Sequence, residues 1–249
     1  MHKAFATIHS TSRFAPHPKQ GDIKLFAKFQ SRVLTVITIL KHRQRFAAFL
    51  DEHKRDKYSF SRQLGTWFGP DIARYTELAN GVRGDFAEIG CYRGDTFSRL
   101  VPIAKTQGKI AHAFDSFEGM ADPGPHDWRP KGQFAVGGAH GFHALMAKHG
   151  LAEDQYRIWP GFIPIGFNSA PASLTFSFAL VDVDNYEPTR ESLDWIWPRL
   201  SKDGILALDD FYPAHDGEAS LAIKEFLCRT TDYHVVDLIN AQLVLRKLT

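Results

Sequence analysis

Cysteine is nearly absent from this chain. Two occur in 249 residues, Cys91 and Cys228, and they form no CxxC pair. That excludes a disulfide framework and a cysteine-based zinc site, and makes a reducing cytoplasm the expected location. Long apolar runs are missing as well. The longest early one, residues 33–40 (VLTVITIL), falls far short of the roughly 18 residues that span a membrane, so a packing helix face is expected there. The first twenty residues lack an apolar signal core. Charge of one sign is not in excess: 30 Lys+Arg against 28 Asp+Glu leave +2, which points to no nucleic-acid partner. Internal repeats and low-complexity segments are also lacking.

What is present is an apolar content of 44%, enough for a packed core. From residue 84 onward, short apolar runs alternate with helical patterns. Strands are expected over 85–89, 110–114, 156–159, 176–181 and 205–208, with helices over 95–104, 141–149, 190–200 and 217–228. Residues 233–237 and 242–246 read as a closing antiparallel pair. This is the βαβ pattern of an α/β fold with a mostly parallel sheet. Ahead of it, a helix is expected over 22–50, a solvated charged run over 51–57, and a helix capped by Asp71 and stopped by Asn80-Gly81. Two units result: an N-terminal helical extension or lid over 1–80, and an α/β domain over 81–249.

In parallel sheets, ligands bind outside the carboxyl ends of the strands. Two apolar runs there end in paired acids, Asp182 with Asp184 and Asp209 with Asp210. Carboxylates gathered at one point repel one another, and the usual reason for tolerating that is a hard divalent cation. The stretch DFAEIGCYRGDT at 85–96 gives a strand ending in Glu88-Ile89-Gly90, then a turn and a helix start. Its glycine spacing is not GxGxxG, which disfavours a dinucleotide site and an NAD-dependent oxidoreductase. An acid before a Gly-poor turn suits a ligand carrying an amine or sulfonium cation. Asp115, at the end of the next strand, stands where a carboxylate grips ribose hydroxyls. Trp159, Gly161 and Phe162 offer an apolar slot for an adenine. The long loop over 116–140 has no periodicity. Its His126, His140 and nearby His143 are candidates to assist a base, and Trp128 and Phe134 to stack on a sugar.

Three motifs occur in order: DFAEIGxxxG, FDSFEGM, and DxDxYExTxxxLxxxxPxLxxxGxxxxDDF. Together they resemble the macrocin O-methyltransferase family over about residues 84–247. The resemblance implies a Rossmann-like class I methyltransferase with a seven-stranded, mostly parallel sheet and an antiparallel last strand. It implies S-adenosylmethionine and Mg²⁺ as cofactors, and a sugar hydroxyl of a natural product as acceptor. Glu88, Gly90, Cys91 and Tyr92 would border the methionine part of the cofactor. Asp115 and Ser116 would bind its ribose, with Gly161, Phe162 and Asp182 also against it. Asp182, Asp209 and Asp210 would hold Mg²⁺, and Asp182 would serve as general base. Asn185 departs from the leucine expected of the family, so the acceptor pocket is expected to differ there.

Other readings exist. A phenol or catechol acceptor suits the same metal logic. The DxD at 182–184 is shared with haloacid-dehalogenase-type phosphatases, but those carry it on their first strand with Thr two residues on, where this chain has Tyr186. A methyltransferase fold serving only as a binding module is a third possibility, disfavoured by the intact acid set. An aromatic- and Leu-rich N-terminal helix offers a surface for a homo-oligomer.

Overall fold

The computed structural model describes residues 69–211, 218–239 and 241–249. The expected helix over 22–50, the charged run over 51–57 and the lid role of the extension lie outside the described residues, as does any interface formed by that helix.

The first described element, α1 (Gly69–Leu78), starts two residues before the expected cap at Asp71. Pro70 in its first turn costs nothing, because that N–H has no helical partner. Ile72, Tyr75 and Ala79 are fully buried in the core, and Arg74 pairs with Asp237 at 2.7 Å. The packed domain therefore includes α1, ahead of the boundary expected at 81.

β1 (Asp85–Ile89) follows, then α2 (Phe97–Thr106), which carries Pro102 in its interior. The buried face of Phe97, Leu100, Val101 and Ala104 holds that helix against the sheet, so packing outweighs the lost backbone bond. Next come β2 (Ala111–Asp115), α3 (Gly138–Lys148), β3 (Tyr156–Pro160) and β4 (Phe176–Val181). α4 (Tyr186–Ile196) begins four residues before the expected start, directly after the acids. β5 (Leu200–Leu208), α5 (Glu218–Arg229), β6 (Tyr233–Ile239) and β7 (Gln242–Lys247) complete the described chain.

The seven strands form one sheet in the order β3-β2-β1-β4-β5-β7-β6. β1 to β5 pair in parallel, and β7 runs antiparallel between β5 and β6. Two cores lie on opposite faces. Phe86, Phe178 and Ile205 point to one, with Ile72, Phe97 and Phe142 from α1, α2 and α3. Ala87, Val181 and Leu208 point to the other, with Leu193 and Ile196 of α4 and Phe226 of α5. Strands apolar on both faces are what a sheet covered by helices on both sides requires. Among the described residues no helix is long and apolar enough to cross a membrane.

Candidate active site

The register of the sheet builds the site. Ile89 pairs with Phe114 on one side and Val181 on the other, and Val181 pairs with Leu208. The next residue on each strand is Gly90, Asp115, Asp182 and Asp209. These four stand in one row along the carboxyl edge. The row is tied by backbone bonds from Gly90 N to Phe114 O (2.9 Å), Asp182 N to Ile89 O (2.8 Å) and Asp209 N to Val181 O (3.0 Å).

Above it opens a cavity of about 520 Å³, within the size range of small-molecule sites. Its walls include Glu88, Gly90, Cys91, Tyr92, Asp115, Ser116, Phe162, Asp182, Asp209 and Asp210. Of the residues singled out by sequence for cofactor or metal, Gly161 is not part of the wall. Its backbone sits so close to Gly166 that a Cβ would approach within 2.8 Å, and it shapes the turn that presents Phe162.

Gly90 also makes a close approach within the protein. At φ +86°, a Cβ there would lie 1.8 Å from the Asp182 carbonyl oxygen. The glycine lets two strand tips touch, bringing Asp182 beside the β1 turn. Tyr92, Phe134, Asp184 and Asp210, all on the cavity wall, have φ between 47° and 70°. Four side-chain-bearing residues held left-handed around one cavity mark a site whose geometry the fold enforces.

Asp115 is already engaged. Its Oδ2 accepts from Cys91 N (2.7 Å) and Tyr92 N (3.0 Å), and its Oδ1 from Phe117 N (2.7 Å). A carboxylate has about four acceptor positions, so room remains for a further donor. Its first task, invisible in the sequence, is to lock the β1 and β2 turns together. Glu88, by contrast, is 3% exposed and its Oε2 has no partner among the described residues. Burial, with Asp115 and Asp95 adding to it, pushes its carboxyl well above the usual range. A buried oxygen of this kind, facing a cavity, is waiting for a donor or cation.

The acid cluster is equally perturbed. Burial first, then Asp209, Asp184 and Asp210, push the Asp182 carboxyl well up. Asp184 is pushed up to about 7 by burial and by neighbouring Asp210, against the pull of Arg129. Burial and Asp210 push Asp209 up to about 8. Oxygen-only donors in this number suit a hard divalent cation and little else. As they stand, however, no group of three or more His, Cys, Asp or Glu side chains among the described residues is arranged to hold a metal. The guanidinium of Arg129 lies among them instead, 2.6 Å from Asp184 and 3.8 Å from Asp210.

The loop between β2 and α3 supplies that arginine. Phe134 also lines the cavity, under the Arg129 guanidinium at 5.5 Å and edge-on to Tyr92 at 5.0 Å. Trp128 does not; it is 60% exposed. None of His126, His140 and His143 reaches the cavity wall. His126 packs on Tyr186, and His143 pairs with the Tyr156 hydroxyl at 2.8 Å. Trp159 is turned away to stack on His112, to which its Nε1 donates at 3.0 Å. Asn185 does line the cavity, 2% exposed, with an unpartnered Oδ1. Sequence reasoning missed Arg129 and Glu218. The length of the loop flagged the segment, but no local pattern singles out one basic residue within it.

The strand order, the cleft at the carboxyl edge and the acid row define the class: an α/β domain of the class I methyltransferase type. Solved structures agree on the fold. The calicheamicin methyltransferase CalS11 superposes with a TM-score of 0.57, at 18% identity, over 98% of this chain and 99% of its own. The O-methyltransferase NovP gives 0.56, at 20% identity, over 72% and 79%. The family is narrower still. Residues 73–238 match Macrocin-O-methyltransferase (TylF), and the chain belongs to that family. Among its relatives is the 8-demethyl-8-(2,3-dimethoxy-alpha-L-rhamnosyl)-tetracenomycin-C 4'-O-methyltransferase of Streptomyces olivaceus. It is 30% identical over 147 residues, 55% of this chain and 56% of that protein. The chain thus aligns with about half the length of that relative. The demethyldecarbamoylnovobiocin O-methyltransferase of Streptomyces niveus is 24% identical over 77% of this chain and 81% of its own. The mycinamicin III 3''-O-methyltransferase of Micromonospora griseorubida is 26% identical over 66% and 72%.

Proposed function

We propose that this protein is an S-adenosylmethionine- and Mg²⁺-dependent O-methyltransferase that methylates a sugar hydroxyl on a glycosylated natural product. The observation that carries the reading is the strand-tip row, which sets Asp182 and Asp209 beside Glu88 and Asp115 in one cavity. The relatives named above are, by name, O-methyltransferases of a rhamnosyl-bearing tetracenomycin, of demethyldecarbamoylnovobiocin and of mycinamicin III.

Bound S-adenosylmethionine supplies a methyl group already activated on a sulfonium. Bound Mg²⁺ makes an acceptor hydroxyl more acidic and fixes its direction. The chain's residues do the rest. Glu88 and the turn through Gly90, Cys91 and Tyr92 border the methionine end, with Glu88 offering a buried oxygen to its ammonium. Asp115 and Ser116 face the ribose, and Phe162 covers one wall. Asp182, Asp209 and Asp210 would hold the metal through their carboxylate oxygens. Asp182 would hold the proton given up by the acceptor hydroxyl when that hydroxyl's oxygen takes the methyl group, with S-adenosylhomocysteine as the leaving group. The excess of carboxylates offsets the positive charge that the donor brings.

Calorimetry with S-adenosylhomocysteine is expected to show one site per chain, present with or without EDTA. Methyl transfer from labelled S-adenosylmethionine to a rhamnosylated aromatic polyketide is expected to stop with EDTA and return with Mg²⁺. Failure to bind S-adenosylhomocysteine would overturn the proposal. Transfer that ignores EDTA would remove the metal from it, and transfer confined to phenol acceptors would replace the sugar.

A further inference from the structure

Arg129 is the one cation that contacts the acid cluster among the described residues, and the loop around it is built to put it there. Asp127 accepts from Gly124 N (3.0 Å) and from Tyr186 N (2.7 Å), which clamps the loop to the first turn of α4. Tyr186 follows Asn185, whose side chain makes no cap bond of its own. Glu218, at the start of α5, accepts from Trp128 N at 2.6 Å. Glu218 is itself buried, with 4% side-chain exposure. Both clamps flank Arg129, and both ends of its reach are acids: Asp184 at 2.6 Å, Asp210 and Glu218 at 3.8 Å. Its Nε is buried and has no hydrogen-bond partner, so the guanidinium is not fully satisfied where it sits. Stacking on Phe134 adds packing without demanding one hydrogen-bond geometry.

We propose that Arg129 is the built-in counter-ion of the acid cluster and competes with a divalent cation for it. The inference rests on the metal reading given above. An Arg cannot lose its proton in this range, so its charge is permanent. When a divalent cation is absent, Arg129 neutralises part of the cluster through Asp184 and Asp210. When one is present, the two positive charges repel across Asp210, and the guanidinium is released towards the cavity. Arg129 thereby sets the cation concentration the site requires, and is a positioning residue whose place depends on metal loading.

The test uses Mn²⁺ alone with the full chain at pH 8, its binding followed by the electron paramagnetic resonance of free Mn²⁺. Wild type is expected to bind one ion, and Asp209→Asn to lose it. R129Q and R129A are expected to bind Mn²⁺ about tenfold more tightly, the scale for removing a partly screened charge a few ångströms from a ligand. R129K, which keeps the charge but not the planar fork, is expected to fall between wild type and R129Q. Folded R129Q and R129A that bind Mn²⁺ no better than wild type would overturn the inference and leave the metal site standing. No Mn²⁺ bound by wild type or by either variant would overturn the metal site, and the inference with it.

Discussion

Asp182→Asn is expected to cut methyl-transfer turnover by about a hundredfold to ten-thousandfold, the range a positioned general base contributes. S-adenosylhomocysteine affinity is expected to stay within about twofold of wild type, since the amide keeps the shape of the wall. The reason lies in what the substitution leaves alone. The backbone at 182 is held by the bond from Asp182 N to Ile89 O, and the close approach of Gly90 is to the Asp182 carbonyl. Neither depends on the side chain. Stability gives a second reading with a defined sign. An acid whose carboxyl is pushed up in the folded protein destabilises the fold at any pH where the unfolded chain would be ionised, above about 4. Burial, Asp209, Asp184 and Asp210 push Asp182 up. Replacing it with a neutral amide removes one of several repelling charges, so thermal melting at pH 8 is expected to be no lower than wild type. Normal turnover in this variant would remove Asp182 as the base. Lost turnover with a collapsed melting temperature would make its role structural.

Asp115→Ala is expected to act on both counts at once. Removing its carboxylate leaves the N–H groups of Cys91, Tyr92 and Phe117 without their acceptor, and Cys91 is 5% exposed. Hydrogen bonds to a charged acceptor and an orphaned buried donor put the loss at about 2–4 kcal/mol. For a domain of this size that is a fall of roughly 5–15 °C in melting temperature. Cofactor affinity is expected to drop at least about tenfold, because the β1 turn and any ribose contact are lost together. Asp115→Asn, which keeps one acceptor oxygen, is expected to fall between the two. Calorimetry and thermal melting on the same preparations separate the outcomes. Weakened cofactor binding with unchanged melting would restrict Asp115 to the ribose, and unchanged binding would remove it from the site.

The parallel strands were legible in the sequence because their apolar runs are short, buried on both faces and bounded by Gly and acids. The site was legible to the extent that it lies at strand ends: Glu88, Asp115, Asp182 and Asp209 each follow an apolar run by position alone. Contacts made across long separations were not legible. Asp115 and Cys91 are tied over 24 residues, and Trp128 and Glu218 over 90, with no local pattern to announce either. Trp159 illustrates the same limit from the other side. An aromatic at the end of a strand suits an adenine slot, but strand alternation turns this one onto His112. Pro102 and the early start of α4 mark where tertiary packing overrides local helix signals.

Diffraction at the manganese absorption edge, from crystals grown with S-adenosylhomocysteine and Mn²⁺, is the most direct measurement. One anomalous peak is expected within about 2.0–2.3 Å of oxygens from Asp182, Asp209 and Asp210, the range for a hard divalent cation. The nucleoside should lie beside it against Glu88 and Asp115. A nucleoside in that cleft with no manganese at the acids, or with Asp182 turned away from Asp209 and Asp210, would contradict the shared site.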